Sequence, residues 1–153
     1  MDIVDRKILA LLQEDAALSI EKIAAKVHLS STPCWKRIRR LEKDGVIQKR
    51  VALLDAEKVG AGVTVFVAIK TNQHNREWLD HFANSVEDMP EILDFYRMSG
   101  EIDYLLRVVV SDIVAFDAFY QRLISRVPLS DVTSSFAMEK IKHTTALPIA
   151  GTD

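Results

Sequence analysis

Between Ser30 and Gly45 the chain reads SSTPCWKRIRRLEKDG, and Lys36, Arg37, Arg39, Arg40 and Lys43 crowd five cations into eight residues. Groups of that type at that density suit the phosphate oxygens of a nucleic acid. Ile38 and Leu41, at i, i+3 spacing, take one face of a helix and leave the charges another. Ser30 is placed to cap the helix by accepting from its first amides. Pro33, in the first turn, lacks a donor that would be unpaired there anyway. A solvated surface helix has the same composition, so the preceding segments decide.

Upstream, Val4, Ile8, Leu11 and Leu12 recur with helical period from Asp2 to about Asp15. A second short pattern runs from Ser19, a cap, to Val27, with Ile20, Ile23, Ala24 and Val27 inward. Only His28 and Leu29 then precede Ser30, and so short a connection forces the two helices to cross steeply, as in a helix-turn-helix. In that geometry Ser31, Thr32, Lys36 and Arg37 would face base edges or flanking phosphates, with Arg39, Arg40 and Lys43 nearer the DNA backbone. Charge agrees. Residues 1–60 carry 12 basic and 9 acidic groups against 8 and 13 in the remainder, and His28 to Arg50 holds 7 against 2. The positive field is concentrated where double-stranded DNA would be met, and the acidic second half argues against DNA wrapping the whole molecule.

Other chemistries find little support. The 153 residues, 48% hydrophobic and 27% charged, have ordinary globular values with room for two small cores. No 18-residue apolar run exists and MDIVDRK lacks the order of a signal peptide, so a cytoplasmic protein with no membrane partner is expected. Cys34 is the only cysteine, which excludes an internal disulfide. It either shares the apolar stripe of Ile38 and Leu41 as a buried thiol or serves as a redox sensor near a helix N-terminus. His28, His74, His81 and His143 are scattered without metal-ligand spacing, and neither a glycine-rich phosphate loop nor a G-x-S-x-G elbow appears. No metal, no cofactor and no enzymatic activity are expected.

A strand-like VIQKRVALLD leads to a boundary near Val59 to Gly62, dividing a helix-turn-helix domain with linker strand (1–60) from a second domain (61–153). In the second, Val63 to Lys70 alternates with period two, and Asn75 to Val86 carries Trp78, Leu79, Phe82 and Val86 on one stripe. Ile92 to Met98 and Tyr104 to Val110 read as strands, Asp112 caps a helix reaching Val127, and a last strand spans roughly Val132 to Ile141. The order β-α-β-β-α-β is that of ferredoxin-like domains, so the fold class is α+β, a winged-type helix-turn-helix joined to a ferredoxin-like domain. Two helices cover one sheet face there. The other is too large to leave in water, so sheet-to-sheet dimerisation is expected, which would present two helix-turn-helix units to two half-sites.

LSSTPCWKRIRRLEKDGVI in the first domain and GEIDYLLRVVV in the second resemble the Lrp/AsnC family of feast/famine transcriptional regulators. VDRKILALLQED, VALLD and SSFAMEKIK match as well, and the likeness runs from Asp2 to about Pro148. Trp35, where many members carry leucine, together with FYRMSGEIDYLLRV and DVTSSFAMEKIKHTTALPI, resembles the branch of cysteine-responsive regulators that control cysteine detoxification. The resemblance implies a sequence-specific regulator that responds to a small amino-acid effector, which in that branch is cysteine. It implies homodimers that often assemble as a ring of four, an octamer, with effectors bound where dimers meet. The turn Ser99, Gly100, Glu101, Ile102, Asp103, Tyr104 would contribute to that pocket. Gly100 allows close backbone approach and Asp103 could accept from an α-amino group, while Thr133, Ser134 and Ser135 could donate to a carboxylate. Alternatively Asp103 only caps the turn and the hydroxyls satisfy a sheet edge. An effector-independent architectural DNA-binding protein is the competing reading of the whole chain.

Overall fold

The computed structural model describes residues 1–73 and 75–151, so His74 lies outside the described residues. The chain forms two compact units, Met1–Ala52 together with the tail from Ile141, and Leu53–Lys140. The sheet-bearing unit therefore differs at both ends from the expected 61–153.

The first unit contains α1 (Ile3–Glu14), α2 (Ile20–Lys26) and α3 (Ser31–Lys43). A reciprocal capping box starts α1: the Asp2 carboxylate accepts from the Asp5 amide at 2.9 Å and the Asp5 carboxylate from the Asp2 amide at 3.0 Å. Ser19 caps α2 through the Lys22 amide at 3.3 Å. Ser30 occupies the cap position of α3, but contrary to expectation its side chain makes no capping bond. Ser30 to Pro33 are exposed, so solvent satisfies the first amides, and Pro33 has none to satisfy. His28 adopts a left-handed φ of 57° in the two-residue turn, and the Leu29 amide closes α2 on the Ala24 carbonyl at 2.9 Å. Ile8, Ile23, Ala24, Val27, Cys34 and Ile38 form the core of the three helices.

The tail returns to this unit. The Leu147 amide donates to the Gln13 side-chain oxygen at 2.7 Å, the Gln13 amide group donates to the Leu147 carbonyl at 3.1 Å, and Arg6 donates to the Ala150 carbonyl at 2.7 Å. The expected strand over VIQKRVALLD does not form among the described residues. A strand needs a ladder partner, and this segment has none, with Val46, Val51, Leu53 and Leu54 exposed.

The second unit runs β1 (Val63–Lys70), α4 (Arg76–Val86), β2 (Ile92–Arg97), β3 (Tyr104–Val110), α5 (Ile113–Arg126) and β4 (Asp131–Phe136). The sheet order is β2-β3-β1-β4, all antiparallel, which is the expected βαββαβ topology. β4 stops five residues short of the expected Ile141. Its partner β1 begins at Val63, and the last bond is from the Ala137 amide to the Thr64 carbonyl at 2.9 Å. Val65, Val67 and Ile69 with Tyr104, Leu106, Val108 and Val110 point to one face. There Phe82 and Val86 of α4 and Phe116, Phe119 and Leu123 of α5 bury them. The other face bears Phe66 and Tyr96, both exposed, around an Arg107–Asp94 ion pair.

Candidate nucleic-acid interface and effector cavity

Residues of α3 advance by about 100° each, and burial of Cys34, Ile38 and Leu41 fixes which arc faces the core. Arg37 and Arg40 flank that arc on the side of α1, and their partners are the two acids of its capping box. One Arg37 Nη1 donates to Asp2 Oδ2 at 2.6 Å and to Asp5 Oδ1 at 2.8 Å, and Arg40 Nη2 donates to Asp5 Oδ2 at 2.6 Å. Asp5 is only 1% exposed. Burial pushes its carboxyl up, but the Asp2 amide and Arg37 outweigh burial, and the net shift is downward. The Asp5 amide and Arg37 hold Asp2 at about 2. Two of the five cations thus tie α3 to α1: Arg37, expected at base edges or flanking phosphates, and Arg40, expected nearer the DNA backbone, both carry these ion pairs.

Thr32, Lys36, Arg39 and Lys43 occupy the arc opposite the core, with Ser31 at its margin, and all five are exposed. Arg39 pairs with Glu42 at 3.0 Å, and Glu42 also receives Arg50 at 3.1 Å. Gly45, at φ 72°, ends the helix in a conformation that favours glycine. Cys34 sits in the core, where burial raises its thiol pKa, the opposite of what redox sensing requires.

In the second unit the expected effector residues divide into two groups. The β2–β3 turn holds Ser99, Gly100 and Glu101, all exposed, with Gly100 at φ 130°. Asp103 is built into its base: its amide donates to the Ile69 carbonyl at 2.9 Å and its carboxylate accepts from the Thr71 amide at 2.8 Å. The Tyr104 ring lies buried among Trp78, Phe82 and Phe95. Thr133, Ser134 and Ser135 lie on β4 opposite Ala68, Val67 and Phe66, two strands away from β3. Alternation sends Thr133 and Ser135 to the uncovered sheet face and Ser134 to the helix side. Within one chain these hydroxyls do not join the turn around a shared cavity.

What does gather at the turn is a small polar cavity of about 160 Å³ lined by Asn75, Arg76, Leu79, Arg97, Met98, Asp103 and Tyr104. That is below the roughly 300 Å³ at which pockets for drug-sized ligands begin, and it suits a compact polar molecule. Arg76 pairs with Asp80 at 3.3 Å along α4, and Arg97 has no ion pair among the described residues. Neither arginine nor Asn75 is marked by sequence spacing, because they come from a helix start and a strand end 21 residues apart. No helix is long and apolar enough to cross a membrane, and no cluster of potential metal ligands occurs among the described residues.

Comparison with known proteins places both units. Residues 1–48 match the winged helix-turn-helix DNA-binding model, and residues 64–147 match the Lrp/AsnC ligand binding domain. The chain is 58% identical to the DNA-binding transcriptional activator DecR of Escherichia coli, over 97% of this chain and 99% of that protein. It is 49% identical to the glutamate uptake regulatory protein of Zymomonas mobilis, over 99% and 93%. An AsnC family transcriptional regulator from Agrobacterium tumefaciens superposes with a TM-score of 0.94 at 59% identity, covering 97% of each chain. A transcriptional regulator from Neisseria meningitidis, solved with L-Met, superposes at 0.92 with 36% identity over 98% and 97%. A reading helix on a three-helix core and a four-stranded ligand-binding module, each matched along almost its whole length, make the chain a member of the Lrp/AsnC family of DNA-binding transcriptional regulators.

Proposed function

We propose that this chain is a cytoplasmic, sequence-specific regulator whose operator affinity is set by a small amino acid, with cysteine the first candidate. The observation that carries the effector reading is the small polar cavity beside the β2–β3 turn, whose lining includes Arg76, Arg97 and Asp103. Opposite charges so arranged suit the carboxylate and ammonium ends of a free amino acid, and the small volume favours a short side chain. The likeness to DecR and the resemblance to cysteine-responsive regulators support cysteine, and the L-Met complex of the Neisseria protein supports an amino-acid ligand.

DNA is held through the outward arc of α3, by Ser31, Thr32, Lys36, Arg39 and Lys43. Two copies of the chain meet through the uncovered sheet face around Phe66 and Tyr96, and dimers associate further into an octamer. The effector shifts the assembly, or the attitude of its paired reading helices. Coupling of this kind is typically worth about 1–3 kcal/mol, a change of about 5- to 150-fold in affinity.

The test is operator binding at constant salt, titrated with cysteine and then with each other amino acid, for the native chain and for Arg97→Ala. A cysteine-dependent shift that Arg97→Ala abolishes without changing effector-free affinity is expected. A shift from another amino acid alone would discard cysteine, and indifference to all twenty would discard the effector reading.

A further inference from the structure

We infer that Trp35 is a specificity-determining residue of the DNA contact and that its indole reads the C5-methyl group of a thymine in the major groove. The inference rests on the assignment of α3 as the reading helix. Trp35 stands at i+4 from Ser31 and i−4 from Arg39, so it continues the outward arc on which Thr32, Lys36 and Arg39 lie. It is 50% exposed and takes no part in the core, which is closed by its neighbours Cys34 and Ile38. No other residue of α3 is a large exposed apolar side chain.

Placement argues for a base rather than a phosphate. Trp35 lies in the N-terminal half of α3, the part of a reading helix that meets base edges, whereas Lys43 lies in its last turn. Lys36 and Arg39 both follow it on the phosphate-facing side of the arc, and the indole stands nearer the helix start than either. The indole carries a single N–H donor at its edge, and its broad apolar face meets one apolar group in the major groove, the thymine methyl.

The assignment is tested with the full-length chain and the best-enriched duplex from selection on a random 40-base-pair pool. Each thymine is replaced in turn by uracil, which deletes the methyl group and preserves pairing. Native protein should lose roughly fourfold in affinity at one symmetric pair of positions per operator, the effect of burying one methyl-sized group. Trp35→Ala should bind the thymine duplex more weakly and show no further loss with uracil there, while Trp35→Phe keeps part of the discrimination. Equal thymine-to-uracil ratios for native and Trp35→Ala protein at every position would overturn the inference. Arg39→Ala serves as a separate control: if it leaves the salt dependence unchanged, the reading of α3 itself falls, whatever Trp35 does.

Discussion

Arg37 and Arg39 stand two residues apart on the same helix and should fail in opposite ways when truncated to alanine. Arg37→Ala removes both Arg37 bonds, at 2.6 Å to Asp2 and 2.8 Å to Asp5, and leaves the buried Asp5 to Arg40 alone. Removing one partner of a buried pair costs about 3–5 kcal/mol. Arg37 keeps some exposure and Arg40 still compensates Asp5, so about 2 kcal/mol is the expected loss. In a unit of this size that is of order 10 °C in melting temperature. Arg39→Ala deletes an exposed i, i+3 pair with Glu42, worth at most about 0.5 kcal/mol. Its cost appears instead in DNA binding, where each lost phosphate contact reduces the slope of log K against log salt by about 0.9 per helix engaged. Thermal unfolding followed by circular dichroism, with operator titrations at four salt concentrations, measures both quantities. The reasoning is refuted if Arg37→Ala shallows the salt slope at unchanged stability, or if Arg39→Ala destabilises the fold at unchanged slope.

Four further outcomes follow from the same geometry. Asp5→Asn should destabilise the helical unit by about 2–3 kcal/mol, since two guanidinium groups lose their shared counter-charge; an unchanged melting temperature would contradict the bridge. Because the carboxyls of Asp2 and Asp5 are depressed in the folded state, their contribution is full above the ordinary carboxylate range and falls as pH drops from about 4 toward about 2; the stability difference between native chain and Asp5→Asn, measured against pH, should shrink over that window. Phe66→Glu puts a charge in the middle of the uncovered sheet face and should yield monomers by light scattering; an intact oligomer would show that another surface joins the copies. Gln13→Ala should accelerate hydrogen exchange at the Leu147 amide by releasing its 2.7 Å bond while leaving β1 and β3 protected; unchanged exchange would mean that the tail is held by something else.

Much of this molecule is legible in its residues because the deciding patterns are local. Period-two alternation in β1, the caps at Ser19 and Asp112, and the stripe of Cys34, Ile38 and Leu41 all act within one element. Where the residues alone say less, the deciding partner lies far away in the chain. No local signal shows that folding brings Asp2 and Asp5 to Arg37 and Arg40, across a separation of more than thirty residues. The segment 46–55 has strand-like residues, but residue type does not supply a partner strand. Thr133, Ser134 and Ser135 are consecutive, and a strand turns consecutive side chains to opposite faces, so three hydroxyls in a row cannot serve one ligand from one side. The arginines of the cavity carry no local signature: Arg76 belongs to the first turn of α4 and Arg97 to the last residue of β2.

The charge accounting of α3 bears on whether the protein chooses its sites. Counted from residue types, five cations on each of two helices would imply ten phosphate contacts and a salt slope of about −9. With Arg37 and Arg40 committed to α1, three remain per helix, and the expected slope falls to about −5. Arg39 and Arg50 moreover share Glu42, so part of that charge is neutralised until DNA displaces the carboxylate. A helix with so reduced a sequence-independent term makes a poor architectural clamp, because such proteins derive their affinity from phosphates and DNA deformation alone. On the proposed assignment of the DNA contacts, more of the binding free energy would come from Ser31, Thr32 and Trp35 against base edges, contacts available only on the right sequence. On that same proposed assignment, Asp2 and Asp5 shift the balance from affinity toward selectivity by pairing with two arginines of α3.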